Sequence, residues 1–88
     1  MAIRVILADD HQLVRAGLRA LLQSFADVEV LAECSDGNEA LAQVTQLKPD
    51  ILMLDISMPG MNGLEVARRI PDISPSTRIL VLSMHVGP

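Results

Sequence analysis

Residues 49–65 read PDILMLDISMPGMNGLE. Ile51, Leu52, Met53 and Leu54 are consecutive large aliphatic residues, a run that implies burial on both faces and a central place in a parallel sheet. The run stops on Asp55, a carboxylate closing a strand that otherwise shuns water. Pro59, Gly60 and Gly63 then suit a tight loop, and Asn62 with Glu65 three residues later marks a helix N-terminus. That helix is expected to end near Ile70, where Pro71 blocks continuation.

The same alternation of solid apolar runs and helical spacing extends in both directions. IRVILA (3–8) reads as a first strand, VEVLAEC (28–34) as a second and TRILVLS (77–83) as a fourth. Between the first two, Val14, Leu18, Leu21, Leu22 and Phe25 fall on one helical stripe, with Arg15, Arg19 and Gln23 facing water. Asp36 and Glu39 form a capping pair before a helix that turns Ala40, Leu41, Val44 and Leu47 inward and closes at Pro49. Strands alternating with helices predict an α/β domain built on a parallel sheet.

Composition excludes several function classes. Half of the 88 residues are hydrophobic but only Phe25 is aromatic, so the core is aliphatic. The net charge is −4 and the seven basic residues are scattered, which argues against a surface that binds nucleic acid by neutralising phosphates. The single cysteine, Cys34, excludes an internal disulfide and fits a reducing compartment, so a cytoplasmic location is expected. No apolar run approaches the roughly 18 residues that span a bilayer, so no membrane role is expected.

In a right-handed parallel sheet the carboxyl ends of all strands lie along one edge, where ligands bind. Asp9 and Asp10 follow the first strand, Asp55 ends the third and Ser83 ends the fourth, so all share that edge. Like charges about 4 Å apart repel by roughly 4 kcal/mol per pair at an effective dielectric of 20, which calls for a compensating cation. Oxygen-only ligands suggest Mg²⁺. Each residue also has a plain structural reading: Asp9 or Asp10 as a helix cap, Asp55 and Ser83 as solvated strand ends, His11 and His85 as loop residues, Cys34 as a small buried hydrophobe. The coincidence of three carboxylates at one edge favours the metal.

ILADDHQLVRAGLRALL and KPDILMLDISMPGMNGLEVARRI resemble the receiver domain of two-component response regulators, in particular the branch that carries a C-terminal LuxR-type (NarL-type) helix-turn-helix. The resemblance runs from Ile3 to about His85. It implies a flavodoxin-like fold with a four-stranded sheet in the order 2-1-3-4 and about three helices. It further implies that Asp55 is the phosphoacceptor, that Asp9, Asp10, Asp55 and the backbone carbonyl of Ser57 hold Mg²⁺, and that Ser83 is the switch hydroxyl. The partner it implies is a sensor histidine kinase, and the function is phosphorelay signal transduction rather than turnover catalysis.

The family has a fifth strand and two further helices, and with them a Lys that contacts the phosphoryl group; this sequence reads SMHVGP after the fourth strand. Residues 1–88 are therefore expected to form a truncated receiver without a DNA-binding domain, phosphorylated slowly. The alternative is a receiver remnant acting, unphosphorylated, as a dimerisation or interaction module. A homodimer is expected through surfaces bared by the truncation, at the fourth strand or at Leu13, Val14 and Leu21 of the first helix. A haloacid-dehalogenase-type phosphatase would need a second Asp two residues after Asp55, where Ser57 stands, and neither a dinucleotide fingerprint nor a P-loop occurs.

Overall fold

The structure is a computed structural model and describes residues 2–58 and 60–82. The chain alternates β1 (Ile3–Ala8), α1 (Gln12–Gln23), β2 (Val28–Cys34), α2 (Gly37–Leu47), β3 (Ile51–Asp55), α3 (Gly63–Ile73) and β4 (Arg78–Leu82). The strands form one parallel sheet in the order β2-β1-β3-β4, as expected. β1 and β3, each flanked on both sides, carry the most buried residues, which is why ILML reads as a solid run.

Strand alternation divides the core into two layers. Ile6, Ala8, Leu52 and Leu54 face Ala40 and Val44 of α2 and Val66 and Ile70 of α3. Val5, Leu7 and Met53 face the other way, against Leu18 and Leu22 of α1. The helices thus sandwich the sheet. Cys34 is buried in the α2/α3 layer as a small hydrophobe, and burial pushes its thiol up to about 12.

Both proposed caps form: Asp36 Oδ1 accepts from Glu39 N–H at 2.8 Å, and Asn62 Oδ1 from Glu65 N–H at 3.0 Å. Lys48 adopts the left-handed conformation after α2, with its N–H on Val44 O, and its ammonium donates to Ile73 O at the end of α3. Arg4 reaches from β1 to the carbonyls of Leu47 and Lys48, binding the end of α2 to the sheet.

Three expectations are corrected. The α1 stripe is only half covered: Val14, Leu18 and Leu22 are partly buried, whereas Leu21 and Phe25 are exposed. Helical periodicity identifies the face that turns inward but not how wide a layer covers it. Next, α3 runs through Pro71 to Ile73. The proline forfeits one N–H, but Ser74 N–H bonds Ile70 O at 2.8 Å, so the last turn is held from beyond the ring. Finally, Arg15 and Arg19 do not simply face water, since both pair with Glu33 of β2, at 3.1 and 2.9 Å.

Candidate functional site

The carboxyl ends of β1 and β3 meet as the topology requires, and they bring Asp9, Asp10 and Asp55 together with His11. One ligand atom from each of these residues lies within 4.8 Å of all the others. Asp55 is fully buried and Asp9 is 1% exposed, while Asp10 and His11 form the solvent side.

Local chemistry sets each carboxylate. Asp55 Oδ1 accepts from both the N–H (3.1 Å) and the hydroxyl (3.0 Å) of Ser57, an Asx-type turn that pins the side chain at the start of the β3–α3 loop. Asp9 Oδ1 accepts from His11 N–H at 2.8 Å, a second turn of the same kind. The guanidinium of Arg15 donates to the backbone carbonyl of Asp9 at 2.7 Å and, on its other side, to Glu33, tying the β1–α1 loop to β2. With one oxygen of each carboxylate engaged, the second oxygens, Asp9 Oδ2 and Asp55 Oδ2, are buried without a hydrogen-bond partner among the described residues.

Such orphaned charge is costly, because a buried carboxylate oxygen has given up its water. A hard divalent cation is the group that this donor set of carboxylate oxygens fits, and Mg²⁺ characteristically takes one or two carboxylates and keeps its remaining waters. Two buried, unbonded acceptors on residues of one acidic cluster are the observation on which this donor set fits such a cation.

Burial pushes the Asp55 carboxyl up, but the Ser57 N–H and hydroxyl, Asp10 and His11 outweigh it and hold it below its ordinary value. Asp55 is thus a carboxylate at neutral pH. His11 shifts the other way: its bond to Asp9 and the charge of Asp10 raise it, against a smaller desolvation effect.

Sequence reasoning treated His11 as a solvated loop residue, and here the structure corrects it. Nδ1 stands 3.2 Å from Asp9 Oδ1, 3.2 Å from Asp10 Oδ1 and 3.6 Å from Asp55 Oδ2. The donors of Ser57 and the role of Arg15 were missed too; an Asp followed two residues later by Ser is the signal that would have found the first. Ser83 and His85 lie outside the described residues.

Comparison with known proteins agrees with this geometry. Residues 5–87 match the family model of the response regulator receiver domain. The chain is 40% identical over 84 residues to the transcriptional regulatory protein LiaR of Bacillus subtilis, covering 96% of this chain and 40% of that protein. It is 44% identical over 82 residues to the oxygen regulatory protein NreC of Staphylococcus aureus, covering 92% and 38%. The chain therefore spans about two fifths of the length of these relatives. Among solved structures, the signal receiver domain of the putative response regulator NarL from Mycobacterium tuberculosis superposes with a TM-score of 0.91 at 38% identity, over 99% of this chain and 70% of that one. The response regulator domain of CheB from Thermotoga maritima gives 0.89 at 35% identity, over 94% and 61%. A four-stranded parallel sheet of order 2-1-3-4, an acidic cluster at its carboxyl edge and a family match over nearly the whole sequence make one conclusion: the chain belongs to the response regulator receiver-domain family of two-component signalling.

Proposed function

We propose that this chain is a Mg²⁺-dependent phosphoacceptor that takes a phosphoryl group on Asp55 from a sensor histidine kinase. The observation that supports this most directly is the state of Asp55: fully buried on a rigid strand end, ionised, one oxygen pinned by Ser57 and the other without a hydrogen-bond partner among the described residues. A nucleophile needs a lone pair held at a fixed place, and Oδ2 has both. Attack by Oδ2 forms the O–P bond as the P–N bond to the donor imidazole breaks, and the leaving imidazole takes up a proton. Asp9, Asp10, Asp55 and the Ser57 carbonyl would hold Mg²⁺, which when bound offsets charge on the transferring oxygens. Ser57 keeps Asp55 oriented through the step, and Ser83 is the proposed switch hydroxyl that bonds the phosphoryl group and reports its arrival.

Incubation with acetyl phosphate and Mg²⁺ is expected to add one phosphoryl mass, read by intact-protein mass spectrometry, and to add none when EDTA replaces the metal. Absence of label in both would overturn the proposal and favour the unphosphorylated interaction module.

A second proposal rests on β4, which among the described residues pairs only with β3. Leu80 is 51% and Val81 45% exposed, and they lie on opposite faces, Leu80 level with Met53 and Val81 with Leu54. Leu13 and Leu21 of α1 are exposed as well. An edge strand with apolar residues on both faces is a template for pairing, and we propose that a second copy covers it. Light scattering on a dilution series is expected to show a dimer that Leu80→Lys or Val81→Lys dissociates. A stable monomer at low micromolar concentration refutes the dimer, and a dimer that survives both substitutions moves it off β4.

A further inference from the structure

The imidazole of His11 stands over the acidic cluster from its solvent side, and no step of the proposed phosphoryl transfer uses it. Its Nδ1 makes three nearly equal approaches to carboxylate oxygens, at 3.2, 3.2 and 3.6 Å, one to each of Asp9, Asp10 and Asp55. For a tetrahedral ion with metal–ligand distances of about 2.0–2.1 Å, neighbouring ligand atoms stand about 3.3–3.4 Å apart, since a tetrahedron's edge is about 1.63 times its centre-to-corner distance. The nitrogen thus stands close to a ligand-to-ligand spacing from all three carboxylates, while the whole donor set spreads over 4.8 Å and draws in around an ion. Asp9 Oδ2 and Asp55 Oδ2, buried and without a hydrogen-bond partner among the described residues, are independent evidence that the cluster suits a cation.

We infer that the edge can hold two chemically different classes of ion, with His11 deciding between them. A borderline transition-metal ion such as Zn²⁺ or Co²⁺ takes imidazole readily and binds through Nδ1 of His11 together with the carboxylates of Asp9, Asp10 and Asp55. Mg²⁺ takes oxygen and keeps water, gains nothing from the ring, and binds with His11 turned away. Because His11 is more than half exposed, its ring can leave the cluster without opening the core. The nitrogen-ligated state fills the space beside Asp55 Oδ2, so it competes with Mg²⁺ for the same carboxylates. This inference rests on the acidic cluster being a cation site, as the proposed function also requires.

The test compares wild type with His11→Ala, both carrying His85→Ala so that the only other histidine contributes nothing. Calorimetric titrations with Zn²⁺ and with Mg²⁺ are paired with visible absorption spectra of the Co²⁺-loaded proteins. Zn²⁺ affinity is expected to fall by about tenfold or more in His11→Ala, Mg²⁺ affinity to hold or rise, and the intense Co²⁺ bands of a low-coordinate nitrogen site to be lost. Equal Zn²⁺ affinities and identical Co²⁺ spectra would overturn the inference while leaving the Mg²⁺ reading standing if Mg²⁺ still binds. Failure of every ion to bind either protein would overturn both.

Discussion

The Asp55→Asn protein is expected to gain no phosphoryl mass under conditions that label wild type completely, and to remain folded. The substitution is nearly isosteric: the amide oxygen can keep both bonds from Ser57, and the amide nitrogen placed at Oδ2 becomes a donor facing the acidic cluster. What is lost is the anionic nucleophile, so the effect is all-or-none in labelling and small in melting temperature. The neighbouring carboxylates provide the contrast. Asp9 and Asp10 are proposed to hold the metal rather than accept the group, so Asp9→Asn and Asp10→Asn should still reach the labelled mass, with the Mg²⁺ needed raised on the order of tenfold. A labelled Asp55→Asn protein would place the acceptor on another carboxylate. A loss of label in all three variants, with Mg²⁺ binding intact, would show that chemistry is shared across the cluster rather than seated on Asp55.

The two central strands were legible because burial on both faces leaves a strong signature. IRVILA, VEVLAEC and ILML were read at their observed positions, and Asp55 proved to be the last residue of β3 itself. Strand order was implied by the family resemblance, and the meeting of Asp9, Asp10 and Asp55 followed from the shared carboxyl edge of parallel strands. What escaped the reading depends on side-chain reach rather than on period. His11 sits beside two aspartates in the sequence, yet only the turn that bonds its N–H to Asp9 Oδ1 aims its ring at Asp55, more than forty positions away. Arg15 lies on the polar side of the α1 stripe and still serves the site, because a long side chain at the first turn can reach back to the Asp9 carbonyl. The continuation of α3 past Pro71 depended on the Ser74 N–H, a bond that no local propensity specifies.

Glycine-to-alanine substitutions at two helical positions should move stability in opposite directions, and the larger change links fold to site. Gly63 opens α3 directly behind the Asp55–Ser57 turn, with its N–H on Ile56 O. A Cβ there would stand 2.5 Å from Ile56 Cα and 2.6 Å from Asp55 O. Both are backbone atoms, which cannot step aside as a flexible side chain could, so α3 must back away from β3 or the loop must distort. Gly63→Ala is expected to cost about 2–4 kcal/mol, a fall of roughly 10–20 °C in melting temperature for a domain of this size. Displacement of the loop should also weaken Mg²⁺ binding, because Ser57 would no longer pin Asp55. Gly17 is the control: it lies exposed inside α1 and a Cβ there meets nothing within 4 Å. Gly17→Ala removes only the entropy cost of a helical glycine, and should stabilise by about 0.5–1 kcal/mol. Thermal melts of the two variants, followed by circular dichroism with and without Mg²⁺, separate the cases. Changes of equal sign would show that helix propensity rather than the contact behind Asp55 governs position 63. A Gly63→Ala protein that melts like wild type would mean that α3 can retreat from the strand end without cost.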